Sequence, residues 1–309
     1  MPSMIRMKTG RRLVAVILAA AVGVTVAACS SSSTNPITPA HSAGSVVVGS
    51  ANFPEDEVLA EVYSLALQHI GVKVTDKFNI GSREVYYPEI VKGAVTILPE
   101  YNGALLTTSV NTKSTAATTA QVDAALTSGL PTSLEILNPS AAQDKDSVTV
   151  TQAFAAKHHL ASIADLQSVS KTMVIGASPE FKTRYEGLVG LKKLYGLTFK
   201  SFLPTDLSGP ISLADLKSGK IQASDIFTTT PQILSDKLLT LSDPKSLFAA
   251  QNVLPLVYKK GVNTKIIAEL NAISAKLTTA DLVRMNAQLS AGQSYATVAT
   301  NWLKSAGLM

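Results

Sequence analysis

The chain has 309 residues, of which 46% are hydrophobic and 6% aromatic, and 27 Lys and Arg residues stand against 22 Asp and Glu residues. Four of the basic residues lie within residues 5–12, so the remainder carries 23 basic and 22 acidic residues. This near-balance removes the support that a basic chain would give to nucleic-acid binding, and no nucleic-acid partner is expected. The roughly 265 residues after position 44 suffice for one large domain or for two lobes.

A secretory leader is predicted over residues 1–28. Residues 5–12 carry basic side chains and no acid, and an apolar run from Leu13 to Ala28 leads into the sequence VAAC, which ends at Cys29. A basic segment, an apolar segment and small residues before a cleavage point are typical of a signal peptide. The apolar run is shorter than the ~20 residues of a membrane-spanning helix, which disfavours a transmembrane anchor.

Cys29 is the only cysteine of the chain, so it cannot form an internal disulfide. The sequence VAAC resembles the lipobox of bacterial lipoproteins, in which the cysteine becomes the first mature residue and carries a diacylglyceryl group. This resemblance implies an extracytoplasmic protein that is anchored to the cell membrane through lipid on Cys29. The Ser-, Thr- and Pro-rich residues 29–43 are interpreted as a flexible tether. A buried structural cysteine is the alternative.

Strands and helices alternate beyond the tether. A strand is predicted at 45–50, followed by a helix after Pro54 that has three acids in its first turn and ends at Gly71. A strand KVTDKFNI comes next, then a helix at 82–93 and a strand AVTIL. Pro88 lies too deep for the first turn of that helix, which predicts a kink or a late start.

A second series follows a Ser-, Thr- and Ala-rich region at 107–128. SVTVT and KTMVIGA are predicted strands, and the helix SIADLQSV between them has Ser162 and Asp165 as a capping box. One helix is predicted over 178–196, with Ser178 as its cap and Pro179 at its first position. The remaining strand, helix, strand and three terminal helices are, in order, FKSFL, ISLADLKSG, IQASDIF, TKIIAELNAISAKL, TADLVRMNAQLSA and ATVATNWLKSAG. The alternation predicts an α/β protein with mainly parallel sheets.

Two segments, IVKGAVTILPEY and LKSGKIQASDIF, share one pattern. Each runs from a helix end through glycine and a strand to an aromatic ring, and eight residues separate Gly93 from Tyr101 and Gly219 from Phe227. Ligands bind at the carboxyl ends of strands in open α/β sheets. The pattern therefore predicts two halves that are built alike and that present both rings to one cleft. A coincidence between two ordinary helix–strand units is the alternative.

Four blocks of the sequence resemble the substrate-binding proteins of osmoprotectant ABC transporters, which bind glycine betaine, choline, carnitine and proline betaine. They occur in the family's order within residues 45–305: VVVGSANFPEDEVLAEVYSLALQHIGVKV, NIGSREVYYPEIVKGAVTILPEYNGALL, SPEFKTRYEGLVGLKKLYGLTF and VLPLVYKKG. The resemblance implies a type II periplasmic-binding-protein fold with two α/β lobes and a ligand cleft between them. Residues 44–140 and 245–309 would form the first lobe and residues 141–244 the second, with crossings near 138–143 and 243–247. It also implies a monomeric receptor without enzymatic activity that delivers its ligand to ABC permease and ATPase subunits.

Binding of a quaternary ammonium, which cannot donate hydrogen bonds, relies on aromatic faces that contribute about 0.5–2 kcal/mol each. A carboxylate on the same ligand requires a guanidinium or a helix N-terminus. Carried over by position, the resemblance implies that Tyr101 is a cage tyrosine and that Phe227 replaces a second one. Arg184 lies where the family's carboxylate-binding arginine lies. The other implied site residues are Asn52, Phe53, Ser82, Asp144 and Asp146.

The chain departs from the family pattern at several of these positions. Asp56 stands where glutamine is expected, Ala51 where lysine is common, and Gln251 near the place of a further aromatic ring. Two rings supply about 4 kcal/mol, half of the ~8 kcal/mol that micromolar binding requires. The additional acidic residues are compatible with a cationic ligand that has no carboxylate. The incomplete aromatic cage is compatible with a polyol, an amino acid or a larger hydroxylated ligand.

Signatures of catalysis and of metal binding are missing from the sequence. It contains no GxSxG, HExxH, P-loop or GxGxxG motif, and its four histidines are scattered, so neither a metal nor a cofactor is expected. A surface lipoprotein with an enzymatic or adhesive role is the remaining alternative. Tyr86 and Tyr87 are adjacent on a predicted helix, so at most one of them can face the cleft.

Overall fold

The computed structural model describes residues 45–309, so the predicted leader, Cys29 and the tether lie outside the described residues. The strands are β1 (Ser45–Gly49), β2 (Lys73–Lys77), β3 (Ile97–Tyr101), β4 (Leu134–Ile136), β5 (Val148–Thr151), β6 (Val174–Ala177), β7 (Ser201–Pro204), β8 (Ala223–Asp225), β9 (Leu238–Thr240) and β10 (Val253–Tyr258). The α-helices are α1 (Pro54–His69), α2 (Arg83–Val91), α3 (Asn102–Leu105), α4 (Thr119–Gly129), α5 (Gln152–His158), α6 (Gly190–Tyr195), α7 (Pro210–Ser218), α8 (Gln232–Ser235), α9 (Thr264–Lys276), α10 (Thr279–Ser290) and α11 (Tyr295–Ser305).

The strands form two five-stranded sheets with the same plan. The first has the order β2-β1-β3-β10-β4 and the second the order β7-β6-β8-β5-β9. In each sheet the first three strands are parallel, and the last two pairings are antiparallel. The α/β class is therefore confirmed. Four of the five strands in each sheet run in the same direction, and one strand, β10 or β5, runs against them, because the chain enters that sheet as an antiparallel strand after it crosses from the other.

The two halves are built alike, as the repeated pattern predicted. Strands β3 and β8 take the same third place in their sheets. The glycines that precede them, Gly93 and Gly219, both have positive φ angles, +78° and +76°. In that left-handed region glycine carries no Cβ penalty, so each glycine turns the chain from a helix end into the strand.

The chain crosses between the sheets twice, once between β4 and β5 and once between β9 and β10. The lobe boundaries predicted at 140/141 and 244/245 fall within these crossings and stay a prediction. The crossings pair with each other: Val253 N donates to Ala142 O (3.0 Å), and Asp144 N donates to Gln251 O (3.2 Å). A bridge between Gln143 and Asn252 lies between these bonds, so residues 142–144 and 251–253 form a short antiparallel ribbon.

Each lobe has its own apolar core on both faces of its sheet. Side chains of the first sheet alternate between a cluster with α1, α9, α10 and α11 and a second cluster with α2 and α4. For example, Ile97 belongs to the former cluster and its neighbour Leu98 to the latter. The second lobe buries its apolar residues around β5 and β6 and beneath α7. The ends of β3 and β8 are therefore held in place by the packed core of their own lobe.

The single helix predicted over 178–196 is wrong. The segment contains a 3-10 turn (Pro179–Lys182), a distorted turn (Tyr185–Val189) and then α6. Glu186 and Gly187 have non-helical torsions, and a Cβ at Gly187 would collide with the carbonyl oxygen of Phe181. This close approach of two backbone segments breaks the helix and leaves the Glu186 side chain buried.

Smaller differences concern three other segments. The capping box of Ser162 and Asp165 is present, although the helix that it begins is a 3-10 helix, Ile163–Ser168. The Ser-, Thr- and Ala-rich region contains α4, for which Thr118 provides a capping box that was not predicted. Helix α2 begins directly after Ser82 and continues through Pro88, which excludes a late start.

Candidate ligand-binding cleft

An inner pocket of about 50 Å³ lies where the carboxyl ends of β3 and β8 meet. Nine of the predicted site residues line it: Asn52, Phe53, Ser82, Tyr101, Asp144, Asp146, Arg184, Phe227 and Gln251. Asp56 lies outside the lining, where its buried carboxylate accepts a hydrogen bond from Ala51 N (2.5 Å). Asp56 thereby holds the turn between β1 and α1 that carries Asn52 and Phe53.

Three aromatic rings form one contiguous group in this pocket. The Phe53 ring centroid lies 5.9 Å from that of Tyr101 and 5.3 Å from that of Phe227, in tilted and edge-to-face arrangements. Phe53 thus stands between the two rings that were predicted to oppose each other. Tyr101 is only 5% exposed, belongs to the core of the first lobe and donates its hydroxyl hydrogen bond to Glu55 Oε1 (2.7 Å). Its truncation would therefore disturb folding.

A buried ion pair lies beside the rings. Arg83 donates from Nε and Nη2 to the carboxylate of Glu100 (3.1 and 2.9 Å), and neither residue is more than 8% exposed. Glu100 also accepts from the Tyr86 hydroxyl (2.8 Å) and from Tyr101 N (3.0 Å). Arg83 and Tyr86 line the pocket, whereas Tyr87 does not, in agreement with one tyrosine at most facing the cleft. Arg83 was missed, although it follows Ser82 in the block that carries the resemblance.

Glu55 joins the two lobes through a buried carboxylate. Its Oε2 accepts hydrogen bonds from Thr229 Oγ1 (2.6 Å) in the second lobe and from Asn286 Nδ2 (2.5 Å) on α10. Asp144, near this contact, accepts from Thr229 N (3.1 Å). Burial raises the pKa of Glu55, and burial together with the charge of Glu55 raises the pKa of Asp144. Both carboxyl groups therefore hold a proton more tightly than they would in water.

A second acidic group comes from the lobe crossings and from the broken helix. Gln251 Nε2 donates to Asp146 Oδ2 (3.0 Å) and to Glu186 Oε2 (3.4 Å). The other carboxylate oxygen of Glu186 is buried without a hydrogen-bond partner among the described residues. Burial and the charge of Asp146 raise the pKa of Glu186 to about 8. Burial raises the pKa of Asp225 too, with a further contribution from Asp146.

Arg184 reaches across the cleft instead of standing free. It was predicted to meet the carboxylate of a ligand, yet its Nε and Nη2 donate to both carboxylate oxygens of Glu84 on α2 (3.0 and 2.8 Å). Burial raises the pKa of Glu84, but the hydrogen bonds and charge of Arg184 outweigh that effect and hold the pKa at about 2. Glu84 therefore occupies the guanidinium in the bidentate manner that a ligand carboxylate would use.

The polar groups of the pocket lining include Ser82 and four charged side chains. Ser82 is the N-cap of α2, and its hydroxyl accepts no capping hydrogen bond from the helix. The pocket lining carries two carboxylates, Asp144 and Asp146, and two guanidinium groups, Arg83 and Arg184. Both guanidinium groups already pair with a carboxylate outside that lining, that of Glu100 or Glu84. Within residues 45–309 no group of acidic, histidine or cysteine side chains is arranged to hold a metal ion. The site therefore offers aromatic faces and two acidic side chains, and both guanidinium groups of its lining are already paired.

Comparisons with known proteins agree with this architecture. A family model, the substrate binding domain of ABC-type glycine betaine transport systems, matches residues 44–305. The glycine betaine-binding protein YehZ of Escherichia coli (strain K12) is 27% identical over 285 residues, which cover 87% of this chain and 93% of YehZ.

Two solved structures show the same two-lobed fold. A glycine betaine/carnitine/choline ABC transporter protein superimposes with a TM-score of 0.68 at 22% identity, covering 85% of this chain and 99% of the other. An ABC-transporter choline binding protein in complex with choline has a TM-score of 0.62 at 15% identity, covering 85% and 88%. The resemblance noted in the sequence is thus confirmed over nearly the whole described chain. The chain belongs to the family of substrate-binding domains of ABC-type glycine betaine transport systems.

Proposed function

We propose that this protein is a monomeric receptor that captures a quaternary ammonium solute in the inner pocket and hands it, chemically unchanged, to an ABC permease and its ATPase. The observation that carries the proposal is the contiguous group of Phe53, Tyr101 and Phe227 in a pocket that also contains two acidic side chains. The two guanidinium groups of its lining are both already paired with carboxylates. Aromatic faces and negative charge both attract a cation that cannot donate hydrogen bonds. YehZ and the choline-binding protein carry names that refer to ligands of this class.

Titration calorimetry of the purified protein with choline, glycine betaine and a neutral polyol tests the proposal. Saturable binding of choline or betaine at one site per chain, with no binding of the polyol, is the expected result. Binding of the polyol alone would contradict it. Recovery of the bound solute unchanged after prolonged incubation distinguishes a receptor from an enzyme.

Phe227→Ala should weaken the binding of choline about two- to thirtyfold, because it removes one aromatic face at about 0.5–2 kcal/mol. Phe227 is half-buried, so its truncation leaves the core of either lobe intact. Phe202→Ala is the control, since Phe202 is also half-buried but lies on β7, packs against the core of the second lobe and lines neither this pocket nor the larger cavity beside it. Equal losses in both variants would show that the ring of Phe227 makes no direct contact with the ligand.

Glu84→Gln should favour ligands with a carboxylate. The substitution releases the Arg184 guanidinium from its bidentate partner, and a charged hydrogen-bonded pair is worth about 1 kcal/mol at a partly exposed position. The affinity for glycine betaine should therefore rise about fivefold relative to that for choline. The ratio of the two dissociation constants in the variant and the unmodified protein is the measurement. An unchanged ratio would mean that Arg184 does not face the ligand.

The anchoring of this receptor to the outer face of the cell membrane is also part of the proposal, and VAAC at residues 26–29 supports it. Among residues 45–309 no helix has the length and apolarity to cross a bilayer. Cys29→Ala should abolish the incorporation of a labelled fatty acid into the protein, because the acylated thiol is removed. Labelling of that variant at the level of the unmodified protein would refute the lipid anchor.

A further inference from the structure

A second and larger cavity adjoins the inner pocket. This outer groove has a volume of about 560 Å³ and lies between the start of α1, the start of α7 and the turn from α10 to α11. Its apolar lining consists mainly of Phe53, Pro54, Leu207, Leu213, Phe227 and Leu289. Cavities of ~300–1,000 Å³ with apolar walls and a few polar groups are typical of sites for small molecules.

The outer groove is continuous with the inner pocket, since Phe53, Leu207 and Phe227 line both cavities. The inner pocket of about 50 Å³ has room for only a few water molecules, each of which needs about 10–15 Å³. Most of the space between the lobes therefore lies on the outer side of Phe53. A ligand that fills only the inner pocket leaves this apolar space to water.

Polar groups are placed where the two cavities meet. Glu55, Thr229 and Asn286 line the outer groove and hydrogen-bond with one another. Glu55 also accepts from the hydroxyl of Tyr101, a residue of the inner pocket. The acidic groups thus lie at the inner end of the combined cavity. Beyond them the walls are mainly prolines, leucines and phenylalanines, with uncharged hydroxyl and amide side chains between them.

We propose that the outer groove binds the apolar body of an elongated quaternary ammonium ligand whose cationic head enters the inner pocket past Phe53. This inference rests on the proposed function, because it assigns the head to the pocket described above. The ligand class is an alkyl- or aryl-substituted trimethylammonium that is longer than choline or glycine betaine. Both lobes contribute walls to the groove, so its occupant is enclosed and released as the lobes close and open, which suits a small solute.

Calorimetric titration of the protein with tetramethylammonium and with its butyl-, hexyl- and benzyltrimethylammonium analogues tests the inference. Each methylene that enters the groove should raise the affinity about two- to fourfold. Hexyltrimethylammonium should therefore bind at least tenfold more tightly than tetramethylammonium. The neutral isostere of choline, in which a tert-butyl group replaces trimethylammonium, is titrated beside choline to test the head separately.

Variants of the outer groove test whether the gain in affinity with chain length arises there. Leu289→Ala, which trims the groove, and Ser290→Trp, which fills it, should each reduce the gain from the hexyl chain at least threefold and leave tetramethylammonium unaffected. Leu308→Ala is the matched control, because Leu308 packs partly buried against the same core cluster as Leu289 but lines neither cavity.

The outcomes separate the inference from the proposed function. Affinity that stays flat or falls with chain length, while tetramethylammonium or choline binds, overturns the inference alone. The inference alone is also overturned if the gain in affinity from the hexyl chain persists in both Leu289→Ala and Ser290→Trp. If the neutral isostere binds as tightly as choline, the cationic head is refuted, and with it the proposed ligand class. Absence of binding by the whole series overturns both.

Discussion

Arg83→Met should lower the free energy of unfolding by about 3–5 kcal/mol, because it leaves the carboxylate of Glu100 buried without its cation. Glu100 is fully buried and Arg83 is only 8% exposed, so the pair is shielded from bulk solvent. Methionine keeps most of the apolar volume of the side chain, which separates the effect of the charge from that of a cavity. Urea-induced unfolding at neutral pH, followed by circular dichroism, measures the loss.

Two further variants decide whether the charge is the cause. Arg83→Met combined with Glu100→Gln should regain a large part of the lost stability, since the glutamine oxygen still accepts from Tyr86 while the unpaired charge is gone. Arg284→Met is the surface control, because Arg284 pairs with Asp281 while its own side chain is 65% exposed. That control should change stability by less than about 1 kcal/mol. A double variant no more stable than Arg83→Met alone would contradict the explanation.

The stability of the protein should fall as the pH rises from about 5 to 8, and Glu186→Gln should remove part of that fall. The pKa of Glu186 is raised from 4.5 to about 8 by burial and by the charge of Asp146, so the folded state binds the proton more tightly than the unfolded state. The stabilisation is complete below pH 4.5 and is lost as the pH passes 8. At about 1.4 kcal/mol per pKa unit, the rise from 4.5 to about 8 corresponds to a total loss on the order of 5 kcal/mol.

The measurement is the difference in slope of unfolding free energy against pH between the unmodified protein and Glu186→Gln. Burial raises the pKa values of Glu55, Asp144 and Asp225 as well, so the variant should retain a weaker fall in the same direction. Glu135→Gln, which removes an exposed carboxylate on β4, is the control and should leave the slope unchanged. Parallel slopes for the unmodified protein and Glu186→Gln would show that Glu186 is ionised in the fold.

Local patterns allowed the strand ends and their aromatic rings to be predicted. The equal spacing from Gly93 to Tyr101 and from Gly219 to Phe227 reflects a helix end, a left-handed glycine and a strand, which are all short-range features. The family resemblance then identified most of the pocket lining. Arg184 was placed correctly in that lining, but its partner Glu84 is 100 residues away in the chain, and no local pattern indicates such a pair.

The buried junction of the lobes could not be predicted for the same reason. Glu55 meets Thr229 across 174 residues and Asn286 across 231, so the network exists only after both lobes have folded and met. In the sequence, Glu55 is simply one of three acids in the first turn of a helix. The break in the helix at Gly187 could not be predicted from the local sequence either, because its cause is a tertiary contact with the backbone of Phe181.

The ribbon that joins the lobes, residues 142–144 paired with 251–253, is broad in the plane of its hydrogen bonds and thin across it. The ribbon bends easily out of the plane of its hydrogen bonds, because such bending requires only small torsional changes spread over several residues. Bending within its plane would instead stretch bonds such as that from Asp144 N to Gln251 O. The lobes should therefore swing along a single arc. In the proposed receptor, the direction from which Tyr101 and Phe227 approach a solute should then be set by the ribbon and not by the shape of the solute.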